Sequence, residues 1–207
     1  NAKRLVDRHA GLIRNCDHLG GWHLWNGKAW VVDEIHSITA LARDTVGTFY
    51  DYLHSMDEDS QQSFLKHIRS SGNETKLKAM ANVARSWPKM SIRSDDFDAD
   101  PYLLNCQNGV VQLKTGKLIQ HCPDLLLTKI CNTHYDSSAK CPEWIKFLNT
   151  IFQGNENLIT FIQKAVGYGL TGDVSQQIFF ILHGDGANGK STFVETFYKI
   201  LGSYAAI

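Results

Sequence analysis

At 207 residues, with 21 Lys+Arg against 21 Asp+Glu and 43% hydrophobic residues, the chain has the size and composition of one large or two small globular domains. The balanced charge excludes an overall basic field as the means of holding nucleic acid, although a local basic channel needs only a few side chains. The longest apolar run, IFFIL at 178–182, is far short of a membrane span, and five cysteines without a C-x-x-C pair exclude zinc-ribbon spacing and read as free thiols of a reducing compartment.

The chain opens NAKRLVDRH, charged, without a Met and without a signal-peptide pattern, which reads as a fragment of a longer protein. Leu5, Val6, His9, Ala10, Leu12 and Ile13 predict one short helix over residues 1–14. GWHLWNGKAWVV at 21–32 then reads as a hairpin turning at Asn26-Gly27, which sets Trp25 opposite Lys28 and His23 opposite Trp30. Aromatics beside a cation could stack on bases, but the simpler use of such a ribbon is to bury its tryptophans against neighbouring helices. From Glu34 to Met56, the positions Ile35, Ile38, Ala42, Val46, Phe49, Leu53 and Met56 recur at helical spacing. Two shorter helices follow, one with Phe64, Leu65 and Ile68, the next with Leu77, Met80, Ala81, Ala84 and Trp87, stopped by Pro88.

SDDFDADP at 94–101 gathers Asp95, Asp96, Asp98 and Asp100. Clustered carboxylates can hold Mg²⁺ or move protons, but a turn-rich stretch without a companion ligand at an EF-hand offset is explained by caps and turns. YLLNCQNGVVQLKTGKLIQH (102–121) predicts a small β-meander, and LLLTKICNTHYD (125–136) a further strand. CPEWIKFLNTIF (141–152) starts a helix with Pro142 in its first turn and puts Trp144, Phe147, Leu148 and Ile151 on one face. A second helix carries Leu158, Phe161, Ile162, Ala165 and Val166, and a domain boundary is placed near residue 140.

FFILHGDGANGKSTFVETF (179–197) carries the clearest chemistry. IFFIL reads as a strand buried on both faces. It leads into Gly184-Asp185-Gly186-Ala187-Asn188-Gly189-Lys190-Ser191, which fits G-x-x-x-x-G-K-[ST], and Phe193, Val194, Phe197, Ile200 and Leu201 predict the helix after it. Glycines let backbone N–H groups close on a phosphate, and the helix N-terminus adds orphan donors and partial positive charge. Lys190 is expected to reach the β- and γ-phosphates of a nucleotide, and the Ser191 hydroxyl to ligate Mg²⁺. A working centre also needs a carboxylate on a second strand, and residues 192–207 are taken up by the helix and GSYAAI, so the expectation is a complete loop within an incomplete catalytic centre.

NAKRLVDRH, LWNGKAWVV, KLKAMANVARS, DADPYLLNCQNGVVQLKTGKL, YDSSAKCPEWIKFLNTIF, AVGYGLTGD and FILHGDGANGKSTF together resemble the phage and plasmid DNA primase-helicase family, with its poxvirus relatives, where the chain leads into a superfamily 3 helicase. The resemblance implies an α/β protein of two modules. Residues 1–140 look like a mixed helical and β-meander pre-helicase domain associated with ring assembly. Residues 141–207 look like the helices, first strand, P-loop and following helix of a truncated AAA+-type ATPase domain. It further implies ATP and Mg²⁺ as cofactors, a homo-oligomeric, hexameric ring around DNA, no membrane, and the host-cell cytoplasm. Gly184, Asp185, Gly186, Ala187, Asn188, Gly189, Lys190, Ser191 and Thr192 match the family's ATP loop, with Lys190 in the catalytic position and Ser191 in the metal position. Gln112 stands where the family commonly has an acidic residue, and no second acidic motif, arginine finger or DNA-gripping hairpin matches. Helicase activity is therefore expected of the parent protein, the alternative being a non-catalytic ring-forming module that keeps the loop.

Overall fold

A computed structural model of the chain describes residues 1–186 and 188–205. It divides into two units, Asn1–Asn26 with Trp30–Phe97, and Gly27–Ala29 with Asp98–Ile207.

In the first unit, α1 (Ala2–His9) buries Leu5, Val6 and His9 and then stops, because Ile13 starts a strand. That strand, β1 (Ile13–Cys16), pairs antiparallel with β2 (Gly21–Trp25), which pairs with β3 (Trp30–Val32). The predicted single helix over residues 1–14 is therefore corrected to a helix and a strand. Four residues are too few to separate period 2 from period 3.6. The hairpin register also differs from the expected one. Trp25 pairs Trp30 and His23 pairs Val32, so residues 26–29 form the connection in place of a two-residue Asn26-Gly27 turn. Of that pair Gly27 alone takes positive φ, at 95°, whereas a type I′ turn requires it twice. The longer loop sets the two indoles 5.8 Å apart and buries Trp30 beside Phe97, while Trp25 stays half-buried.

The long apolar stretch from Glu34 to Met56 resolves into α2 (Ser37–Gly47) and 3₁₀ turns over Thr48–Ser55. The Asp33 carboxylate sets its start, accepting from the Ser37 and Ile38 amides at 2.7 and 2.8 Å, and Ile35 is left 85% exposed ahead of it. α3 (Glu58–Ser71), capped by Asp57 on the Ser60 amide, and α4 (Glu74–Ala84) form where the spacing placed them. Leu5, Ile38, Phe49, Ile68, Leu77 and Met80 meet in one core.

The second unit contains the meander: β4 (Leu103–Cys106), β5 (Gly109–Gln112) and β6 (Lys117–Ile119), antiparallel in sequence order. Residues 125–136 run beside β4 with backbone bonds from Cys131 to Asn105 and from Gln107 to Thr133, yet form no ladder strand. The side-chain amides of Asn105 and Gln107 take the carbonyls of Lys129 and Cys131, at 2.9 and 2.7 Å, that a further strand would give to backbone donors. α5 (Pro142–Ile151), α6 (Glu156–Gly169) and α7 (Lys190–Leu201) follow. The last end of α7 is tied to the meander: Asn132 donates to the carbonyls of Ile200 and Lys199, and the Tyr204 hydroxyl accepts from the Asn105 amide.

One expectation is overturned. Residues 178–182 do not form a strand buried on both faces; they are extended, without a ladder partner among the described residues, and Phe179 is 82% and Ile181 76% exposed. A parallel strand is stable through the strands on either side of it, and its own sequence does not supply them. The architecture is thus mixed α/β, helices with two three-stranded antiparallel sheets.

Candidate phosphate-binding loop

Helix α7 starts at Lys190 because Gly189 ahead of it takes φ +82°, a left-handed conformation that costs glycine little. Space demands glycine there as well, since a Cβ would meet Ile151 Cγ2 at 2.7 Å and Phe147 Cε2 at 3.1 Å. α5 therefore packs directly under the turn. A cluster of aromatic rings holds the body of α7: Trp144 lies 5.7 Å from Phe193 and 5.5 Å from Phe197, and the two phenylalanines are 5.0 Å apart. With α7 fixed by these rings, the direction of its leading N–H groups is fixed too. Phe193 donates to the Gly189 carbonyl at 2.9 Å, and the first amides of a helix are the ones that its own hydrogen-bond ladder leaves over for a ligand.

Ahead of the helix the loop folds back over its own lysine. Lys190 Nζ donates to the carbonyls of Gly184 and Asp185, at 2.7 and 3.1 Å, and to Asn188 Oδ1 at 2.7 Å. Gly184 has φ +152°, and a Cβ on it would lie 2.3 Å from Asn188 Nδ2. Gly184, Asp185, Asn188, Gly189 and Lys190 are thus brought together, with the Ser191 and Thr192 side chains exposed in the first turn of α7. Ala187, also assigned to the loop, lies outside the described residues.

An open pocket of about 800 Å³ lies against Gly186, Asn188, Gly189, Lys190, Ser191 and Thr192, within the size range of small-ligand sites. Its opposite wall is Phe147, Thr150, Ile151 and Gln153. Sequence reasoning did not assign these four to the site. The i, i+4 pair Phe147 and Ile151 was readable as an apolar face, but nothing in the spacing says that the face ends under a glycine turn.

The aspartates of 94–101 are absorbed by turns. Asp96 accepts from the Arg93 amide at 2.9 Å. In the second unit Asp98 accepts from the Thr128 amide at 2.8 Å, and Asp100 from the Tyr102 amide at 2.9 Å. Among the described residues no three His, Cys, Asp or Glu side chains gather as metal ligands, and no helix is long and apolar enough to cross a membrane.

The family model described as D5 N terminal like matches residues 2–153. The chain belongs to the D5 N terminal like family. It is also 30% identical, over 226 aligned residues, to a protein named as a putative helicase in Acanthamoeba polyphaga mimivirus. That alignment takes in 97% of this chain and 23% of the relative, so the chain spans about a quarter of the curated protein it matches. The two comparisons agree with the D5-like primase-helicase family that the motifs resemble. The family model ends ahead of the glycine loop.

Proposed function

We propose that residues 184–192 bind the phosphates of ATP with Mg²⁺, and that residues from about 141 open an AAA+-type ATPase domain of a superfamily 3 helicase. The observation that carries this reading is the convergence, at one glycine-walled turn, of the Lys190 ammonium and the leading amides of α7. The donor set fits a polyphosphate. Backbone N–H groups and an ammonium are the groups that hold phosphate oxygens, and the two glycines leave no Cβ in the way. Ser191 would give its hydroxyl to Mg²⁺, with phosphate oxygens and water completing the coordination. ATP supplies a phosphoanhydride bond whose cleavage drives movement. This chain's part is to seat the phosphates, keep the lysine within reach and exclude bulk from the turn.

For a longer protein like the aligned relative, which is about four times as long as this chain, we infer an ATP-dependent DNA helicase acting in replication, as a homo-oligomeric and hexameric ring around DNA in the cytoplasm of the host of a phage, plasmid or related element. Residues 1–140 would serve ring assembly.

Hydrogen exchange tests the site assignment. With Mg²⁺ present, ATP should slow amide exchange across 184–192 more than AMP does, because the protected groups are those facing the β- and γ-phosphates. Lys190→Ala should remove that protection. Exchange in this segment that ATP leaves unchanged would contradict the assignment.

A further inference from the structure

The Lys190 ammonium has three N–H donors, and the loop accounts for all of them through Gly184 O, Asp185 O and Asn188 Oδ1. A phosphate oxygen can be bound by this lysine only if one of the three acceptors gives way. The two carbonyls belong to the loop backbone and move only with it. The amide of Asn188 is different: its side chain is exposed at the surface and leaves the lysine by rotation about its own side-chain bonds. The same amide lies where a Cβ of residue 184 would be, 2.3 Å from Nδ2, so glycine at 184 is what lets it reach the ammonium.

We propose that Asn188 is a built-in competitor for Lys190, a neutral side-chain acceptor that holds the ammonium in the turn and is exchanged for a phosphate oxygen on binding. The inference rests on the phosphate-loop reading above and adds a regulating element to it. Its physical basis is the exchange itself. Bound phosphate gains a charge-assisted bond but displaces one already made to a charged donor, so net affinity is lowered by the bond given up. Asn188 is a positioning residue in this account. It acts on the ligand through Lys190, and replacing it by a shorter apolar side chain should tighten binding of a polyphosphate.

Two readouts on the 207-residue chain separate this idea from the site assignment. In the first, Lys190 is acylated by acetic anhydride and its modification rate followed by mass spectrometry of the tryptic peptides. Asn188→Ala should raise the rate at Lys190 relative to the other lysines, and Asn188→Asp, which offers a carboxylate to the ammonium, should lower it. In the second, inorganic tripolyphosphate is titrated into wild type, Asn188→Ala, Asn188→Asp and Lys190→Ala. The expected result is binding roughly three- to tenfold tighter for Asn188→Ala, weaker for Asn188→Asp and lost in Lys190→Ala. An unchanged acylation rate in Asn188→Ala overturns the proposal whatever the ligand does. Faster acylation with equal or weaker tripolyphosphate binding overturns the competition while wild-type, Lys190-dependent binding leaves the site standing. Binding that Lys190→Ala does not diminish, or none at all, removes the site reading and the competition with it.

Discussion

His9 lies on the buried face of α1, with Nε2 3.3 Å from the Thr45 hydroxyl. Thr45 gives its single proton to the Leu41 carbonyl at 2.8 Å, so the imidazole Nε2 is the donor in the His9–Thr45 bond. Burial first, and the neighbouring Arg8 charge second, hold the His9 pKa below the ordinary histidine value, with Asp44 opposing them. Above about pH 6.5, His9 is neutral in the folded and unfolded chain, and its contribution to stability is complete. As pH falls through that value the unfolded chain takes up a proton that the folded chain resists, and stability is lost until the lower, folded pKa is reached. Urea unfolding of wild type and His9→Gln between about pH 7.5 and pH 5.5 should therefore show a steeper acid loss in wild type. Parallel curves would show that His9 does not carry the effect. The sequence put His9 in line with Leu5 and Val6 on the first helix, but its bond to Thr45, 36 residues further on, was not legible there. The place of Lys190 at the start of a helix behind a glycine turn was legible, but its bond to Asn188 was not, because spacing does not say which way a side chain folds.

Among the elements, the helices of regular apolar period could be read directly: α3, α4, α5 and α6 lie where Phe64–Ile68, Leu77–Ala84, Trp144–Ile151 and Leu158–Val166 put them. The meander was also legible, from its two glycine-bearing turns. What escaped were features decided by partners far along the chain. β1 is recognisable as a strand only from its pairing with β2, and 178–182 has the composition of a strand but no ladder partner among the described residues. Gly109 shows how closely the meander depends on one backbone position. It has φ +149°, and a Cβ there would meet Ile119 O at 2.5 Å and Leu118 Cδ1 at 2.9 Å. Gly116, at φ +69°, would place its Cβ 3.5 Å from the Tyr135 hydroxyl, an ordinary contact. Gly109→Ala should cost about 2 kcal/mol or more in chemical denaturation and Gly116→Ala about 1 kcal/mol. Equal costs would mean that left-handed backbone, and not the close approach of β6, governs the turn.

For the whole molecule, composition said only that the chain is globular and charge-balanced. The ordered set of motifs said which family, and the D5 N terminal like match over residues 2–153 agrees. The two structural units change over at Phe97 and Asp98, whereas the boundary proposed near 140 separates a pre-helicase module from an ATPase module within the second unit. Those two divisions need not coincide, because α7, which follows residue 140 in the sequence, packs its last end on the meander through Leu201 and Tyr204. In the function proposed above, the glycine loop binds ATP through Lys190. Calorimetric titration of ATP with Mg²⁺ into the wild-type chain and Lys190→Ala tests it most directly. Saturable binding to wild type is expected, weakened roughly tenfold or more in Lys190→Ala by loss of a charged donor. Equal affinity of the two proteins would contradict it.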